Sequence, residues 1–187
     1  MDEVQVYINE ITPFSAESWK NFRFVFRPQK LNKGDYLATE GGIEKKIFIL
    51  SKGIIRAFYR NREGQEYNKT FFTGLSFVAA YSSLLTGREN KINLQCLSDC
   101  QLLEASYSSL TALYDGNREI ERLARKLAEQ FFVLKEKREI ELVTLNAGDR
   151  YDIFKAEHPH LEQLIPQYHV ASYLGITPTQ LSRIRAR

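Results

Sequence analysis

Residues 165–187 read IPQYHVASYLGITPTQLSRIRAR, and their spacing predicts two short helices joined by a tight turn. Pro166 opens the first helix, where a missing N–H leaves no hydrogen bond unmade. Val170, Ala171 and Leu174 share one face, and the small Ala171 leaves room for a crossing helix. Gly175 follows at once and supplies the left-handed conformation that ends a helix. Thr177 is an N-cap for the second helix, with Pro178 at its first position and Gln180 three residues after the cap, the pattern of a capping box. Leu181 and Ile184 then form an inner stripe against Val170 and Leu174. Thr179, Gln180, Arg183 and Arg187 project the other way at helical spacing. That outward set combines hydrogen-bonding and cationic groups, the chemistry that reads base edges and grips phosphates. The arrangement is a helix-turn-helix.

Working outward, the 187 residues suffice for one large domain or two small ones. Apolar residues make up 43% and aromatic residues 12%, enough for a sizeable core. The formal charge of +3 excludes a strongly basic nucleic-acid coat protein, so any basic patch is local. Arg183, Arg185 and Arg187, with no acid between Thr177 and the end, make one. The opening MDEVQVYINEI has neither the basic nor the apolar region of a secretory signal. No apolar run reaches membrane-spanning length. A cytoplasmic protein without membrane contact is expected, and with it Cys96 and Cys100 as two reduced core thiols in a strand–turn–strand segment.

Residues 2–26 read as helical, with Val4, Ile8 and Ile11 in one stripe and a second segment from Ser15 through Trp19, Phe22 and Phe26. From Arg27 onward, short apolar runs alternate with Gly, Asn and Asp, the texture of closely spaced strands. In IFIL (47–50) both alternating sets are apolar, so this strand is expected to be buried on both faces. NREG (61–64) is a hairpin turn. Strands at this spacing predict a barrel or double-sheet jelly roll. Tyr107–Asp115 reads as a short helix, and Asn117 caps a long one with Glu119 and Glu121 at its positive end. Within it Ile120, Ala124, Leu127, Phe131 and Leu134 recur in steps of four and three, a heptad seam. The same stripe also suits a helix packed on its own barrel. LVTLNAG (142–148) reads as a hinge, followed by a further helix from Asp149 and by HPHLEQLIP leading into the helix-turn-helix.

A metal-dependent enzyme on a jelly roll needs histidine and carboxylate ligands on facing strands. His158, His160 and His169 all lie outside the strand region, and His158-Pro-His160 reads as loop surface. Nucleophile-elbow, P-loop and dinucleotide motifs are missing. No catalytic residue, metal or enzyme activity is expected.

Helical lead-in, jelly roll, long helix and terminal helix-turn-helix together resemble the Crp/Fnr family of bacterial transcription regulators. The resemblance rests on Gly34-Asp35, Glu40-Gly41, IFILSKG ending at Gly53, the turn at Gly64 and, most specifically, LGITPTQLSRIR (174–185). In looks it is nearest to members common in the Bacteroidetes group. It implies an α+β fold: a jelly-roll β-barrel of the cyclic-nucleotide-binding kind (1–115), a long dimerisation helix (116–143) and a helix-turn-helix DNA-binding domain (144–187). It also implies a homodimer joined through the seam residues, double-stranded DNA as partner, and RNA polymerase as a further one. Aligned on the family, Thr179, Gln180 and Arg183 are base-reading positions, and Ser182, Arg185, Arg187 and Tyr168 contact the phosphate backbone. Other members follow the recognition helix with a β-hairpin wing. A second reading, from another class, is a ligand-binding or protein-interaction module whose terminal hairpin has no DNA function.

The resemblance fails at the nucleotide site. Cyclic-AMP binders of the family carry Gly-Glu-Leu for the ribose and Arg-Ser or Arg-Thr for the cyclic phosphate. Here Ala79-Ala80 and Asn90-Lys91 stand near those positions, and Lys135-Glu136 falls where the family's adenine-contacting Thr-Ser would lie. A polar ligand would be left unpaired, so cyclic AMP is not expected and no cofactor is assigned. Tyr67, Phe72, Tyr81, Arg88 and Lys91 are candidate lining residues for some other effector. The cysteine cluster of iron–sulfur members is also missing.

Overall fold

A computed structural model describes residues 3–186. The chain forms two compact units, one of residues 1–57 and 71–130, the other of residues 58–70 and 131–187. The first unit begins with α1 (Glu3–Ile11) and α2 (Ala16–Val25), and eight strands follow along the described chain. Ser15 caps α2 by accepting a hydrogen bond from the Ser18 N–H, which is why the second helical segment begins there.

The strands make two four-stranded sheets. One runs β1 (Arg27–Leu31), β8 (Cys100–Ser106), β3 (Lys46–Lys52), β6 (Ser76–Val78). The other runs β2 (Tyr36–Ala38), β7 (Asn93–Cys96), β4 (Ile54–Arg60), β5 (Glu66–Thr73). The pairing of β3 with both neighbours is antiparallel, Ile49 lying opposite Leu103 on one side and Phe77 on the other. This is the expected double-sheet jelly roll.

The alternation in IFIL is realised as two cores. Ile47 and Ile49 point into a cluster with Val4, Ile8, Phe22, Phe26, Leu110, Ile120 and Leu123, so the helices cover that face. Phe48 and Leu50 point into a second cluster with Ile55, Ala57, Leu94, Val78 and Leu102, drawn from both sheets. With burial of each large apolar side chain contributing about 1.5–3 kcal/mol, one strand anchors both faces of its sheet.

Between β6 and β7 lies the short α3 (Tyr81–Thr86), and after β8 come α4 (Tyr107–Thr111) and the long α5 (Arg118–Thr144). Asn117 caps α5, its Oδ1 accepting from the N–H groups of Glu119 and Ile120 at 3.1 and 3.2 Å. Here the expected dimer seam needs correction. Ile120 is only 1% exposed, inside the core shared with α1 and α2, and Leu127 packs partly against the same cluster. The first turns of the seam are consumed by the chain itself, because the stripe that suits a partner helix suits a sheet face equally.

The second unit holds the tip of the β4–β5 hairpin, the later turns of α5, and four helices: α6 (Ala147–Glu157), α7 (Leu161–Leu164), α8 (Gln167–Leu174) and α9 (Pro178–Arg185). The NREG turn is closed by the Asn61 N–H donating to Gln65 O and the Gly64 N–H to Asn61 O, both 3.0 Å. The expected hinge is shorter than read. α5 continues through Thr144, and the break is confined to Leu145 and Asn146, whose side chain caps α6 by accepting from the Gly148 and Asp149 N–H groups. His158 is not loop surface. It ends α6 with its ring 5.4 Å from Phe154 and 6.1 Å from Tyr173, and burial pushes its pKa down. His169 is 4% exposed. Arg138 of α5 lies over the Tyr173 ring at 4.0 Å, pairs with the buried Glu141 at 3.2 Å and donates to the Tyr173 carbonyl.

Candidate nucleic-acid interface

The turn between α8 and α9 is built as its residues require. Gly175 sits at φ 71°, ψ 32°, and the Ile176 N–H donates to Ala171 O at 3.0 Å. Together they satisfy carbonyls that the end of α8 would leave open. Pro166 stands one residue earlier than expected, as the residue before α8 rather than its first. At α9 the capping box is complete: the Gln180 N–H donates to Thr177 Oγ1 at 3.2 Å, and the Thr177 N–H donates to Gln180 Oε1 at 2.9 Å. Val170, Ala171 and Leu174 are fully buried and Leu181 is 1% exposed, so the two helices meet over one small core.

The outward face of α9 carries Thr179, Gln180, Ser182 and Arg183, all exposed. Gln180 is not free along its whole length, because its Oε1 is held by Thr177; only its amide nitrogen remains to donate. Arg185 is drawn back towards Glu162, Nε to Oε2 4.0 Å, and Glu162 in turn accepts from the Tyr151 hydroxyl at 2.6 Å. Tyr168 is 56% exposed with its ring 4.2 Å from that of His169. Arg187 lies outside the described residues. Thr179, Ser182 and Arg183 therefore form the open hydrogen-bonding set, and Arg185 serves partly as a tie to α7.

A second feature was invisible in the sequence. Asn68, on the hairpin tip, is 6% exposed. Its side-chain nitrogen donates to His169 O at 3.0 Å, and its N–H donates to Ser172 Oγ at 2.9 Å. Ser172 Oγ donates onward to Glu66 O at 2.6 Å. The hairpin thus grips α8. The partners stand about a hundred residues apart in the chain, and no local pattern announces such a contact.

Along α5, Phe131 is 45% exposed, Phe132 67%, Val133 61%, Leu134 57%, Ile140 56% and Val143 86%. Such a run of uncovered large apolar side chains is unusual on a surface, and it begins where the seam leaves the first unit's core.

Residues 28–117 match the cyclic nucleotide-binding domain family. No curated protein matches the chain by sequence. Among solved structures, FixK2 from Bradyrhizobium japonicum superposes with a TM-score of 0.75 at 16% identity, over 87% of this chain and 83% of that one. A transcriptional regulator of the Crp/Fnr family from Eubacterium rectale gives 0.74 at 13%, over 98% and 86%. The c-di-GMP-responsive global regulator CLP from Xanthomonas campestris gives 0.73 at 14%, over 92% and 90%. Residues 28–117 are thus those of a cyclic nucleotide-binding domain, and the chain shares its fold with these solved structures.

Around α3, where the sequence resemblance puts the family's nucleotide site, the side chains of Ser83 and Asn90 bond to the protein's own backbone. Ala80, which the resemblance sets near the ribose-binding carboxylate of the family, is 2% exposed and packs in the inter-sheet core. Asn90 is 4% exposed and its amide donates to Ile92 O and Thr39 O. Ser83 accepts from the Glu44 N–H at 3.1 Å and donates to Arg88 O at 2.6 Å. The candidate lining residues are scattered rather than gathered. Phe72 packs on the inter-sheet core. Tyr81 is 41% exposed with its ring 6.2 Å from Tyr107, and Arg88 and Lys91 are exposed. Tyr67 is 48% exposed on the hairpin tip, bonded to Gln65. The described residues include no group of three or more His, Cys, Asp or Glu placed to hold a metal ion, and no described helix is long and apolar enough to cross a membrane.

Proposed function

We propose that this chain is a dimeric, sequence-specific DNA-binding regulator of transcription that does not answer to cyclic AMP. The observation that carries the reading is the capped two-helix unit α8–α9, which leaves Thr179, Ser182 and Arg183 open on one face. In this reading Arg183 takes guanine O6 and N7, Gln180 donates its free amide hydrogens, and Tyr168, Ser182, Arg185 and Arg187 meet phosphates. Residues 1–115 are the sensing barrel and 144–187 the reader. α5 joins two copies through Ala124, Phe131 and Leu134, extended by the exposed Phe132, Ile140 and Val143. A two-fold dimer then sets two α9 helices about 34 Å apart on a palindrome. The protein works in the cytoplasm, with RNA polymerase as its downstream partner.

The deciding experiment is a bandshift with genomic fragments over a salt series. Selective, salt-sensitive retardation is expected; no retardation at low salt sinks the reading. Arg183→Ala should weaken binding by about 1–3 kcal/mol and relax one base pair. A uniform loss over all sequences would make Arg183 a phosphate contact instead. Phe131→Glu with Phe132→Glu should yield a monomer in light scattering, and an unchanged dimer refutes the α5 interface. A bound ligand at a hundredfold excess over its Kd would stabilise by about 2.7 kcal/mol, so cyclic AMP should leave the melting temperature unmoved.

A further inference from the structure

Cys96 ends β7 and Cys100 begins β8, and those strands belong to different sheets. Residues 97–99 therefore cross from one sheet to the other. Strand alternation turns Leu94 and Cys96 inward from one side and Cys100 and Leu102 inward from the other, all four into the inter-sheet core. There the two thiols meet, hydrogen-bonded to each other. Both are free, at 1% and 2% exposure. Two further sheet-crossing turns are tied to the same place. The Gly34 N–H donates to Cys96 O at 2.8 Å and the Cys96 N–H to Asp35 O at 2.9 Å. The Leu97 N–H donates to Ile54 O at 2.8 Å and the Ile54 N–H to Ser98 Oγ at 3.0 Å. A cysteine packs as a small hydrophobe in any core. Here two of them face each other at a link where a covalent bond would join the sheets. Their shared hydrogen bond also makes them unequal. Donation from Cys96 pulls the Cys100 pKa down, against burial and the Asp99 carboxylate, while that bond, burial and Asp35 push Cys96 up. The negative charge thus rests on Cys100 and the proton on Cys96.

We infer that Cys96 and Cys100 are a modification site for a small hydroperoxide, which converts them to a reversible disulfide that staples the two sheets. The Cys100 thiolate attacks one peroxide oxygen. The O–O bond breaks, the leaving oxygen takes up the proton that the thiol gave up, and Cys100 becomes a sulfenic acid. The Cys96 sulfur then attacks the Cys100 sulfur, and the S–O bond breaks. The departing hydroxyl leaves as water with the Cys96 proton. Two thiols are oxidised, and one hydrogen peroxide is reduced to two waters. In a reducing compartment the bond is transient, since thiol exchange reopens it. Burial selects the oxidant: Asp99 is exposed at the turn, and local opening of a three-residue link admits a peroxide more readily than a bulky disulfide. The inference does not depend on the DNA-binding reading of α9.

The test treats the folded full chain with hydrogen peroxide, alkylates the remaining thiols in denaturant and reads the intact mass. The expected product has lost two hydrogens, carries no alkyl group and returns to the starting mass with dithiothreitol. Its urea midpoint should lie above that of the reduced protein. Cys96→Ser should halt at the Cys100 sulfenic acid, which dimedone traps. Cys100→Ser should consume peroxide about tenfold more slowly or less. Circular dichroism confirms that each variant is folded, and the peptide map of the unaltered protein decides the matter if one is not. The inference is overturned if both thiols survive peroxide that oxidises free glutathione, or if they gain oxygen without joining. A disulfide between two chains would also overturn it, as would equal peroxide consumption by Cys100→Ser. An unraised urea midpoint would remove the staple.

Discussion

Two glycines at positive φ separate backbone strain from steric exclusion. Gly175, at the α8–α9 turn, has φ +71° and open space where a Cβ would stand. Gly53, between β3 and β4, has φ +115°, and a Cβ there would meet Cys100 Sγ at 2.6 Å and Asp99 O at 2.7 Å. Gly175→Ala therefore meets only the left-handed backbone penalty, about 1–2 kcal/mol. Gly53→Ala meets a comparable strain plus overpacking of about 1–3 kcal/mol. One of its two clashes is with backbone, which cannot swing away, so the cost falls in the upper half of the summed range of about 2–5 kcal/mol. Urea unfolding by circular dichroism measures both, each variant affecting the unit that contains it. Gly175→Asn should lose less than Gly175→Ala, since asparagine tolerates the left-handed region. Equal losses at the two sites, or a neutral Gly175→Ala, would refute the reasoning.

Arg138→Ala should destabilise the second unit by about 3 kcal/mol in the same assay, because it leaves Glu141, whose side chain is 7% exposed, with only the longer 3.8 Å pairing to Lys137. Arg138→Met with Glu141→Leu should recover most of that loss. Thr177→Ala removes the N-cap of α9 and should cost about 1 kcal/mol, with a parallel loss of helicity. For His158, burial holds the folded pKa below its ordinary value, so the unfolded chain takes up the proton first. Its stabilising contribution is complete above about pH 6.5 and is lost as the pH falls. A thermal melt of the second unit should drop from pH 7.5 towards pH 5.5, and His158→Phe should flatten that dependence.

How much of this was legible depended on the range of the interactions. The α8–α9 turn is written in consecutive residues: glycine for the left-handed cap, threonine and glutamine for the box, proline at the start. Each requirement is satisfied within a few positions, and local chemistry therefore decided it. The double burial of β3 was legible for the same reason, since a strand alternates its faces residue by residue. Ile120 was ambiguous because a helical stripe states that a face is covered without naming the cover. Gln180 carried two demands at once, cap and reader, and only the geometry shows its oxygen taken by the cap. Asn68 and His169 were beyond reach, because two polar residues a hundred positions apart leave no periodic trace.

On the proposed reading, the barrel keeps the scaffold of a nucleotide site without its chemistry. A cyclic nucleotide needs a carboxylate and a guanidinium presented into the cradle, and both groups must be desolvated when no ligand is there. That is tolerable only if binding recovers the loss. At the positions that the resemblance assigns to these groups stand Ala80, packed in the core, and Asn90, whose amide is committed to Ile92 and Thr39. Ser83 ties α3 to both flanking segments through Glu44 and Arg88. The Ser83 hydroxyl and the Asn90 amide thus each have partners in the protein itself, so neither needs a guest to be satisfied. Installing the lost groups singly should accordingly destabilise the barrel. Ala80→Glu places a carboxylate in an apolar cluster with no cation prepared for it, and the first unit should lose several kcal/mol. Restoring a basic residue at Asn90 as well should not rescue it, because that change also breaks the amide's two strand-end bonds. If the double variant were as stable as the parent and bound cyclic AMP, the self-closed loop would not be what excludes the nucleotide.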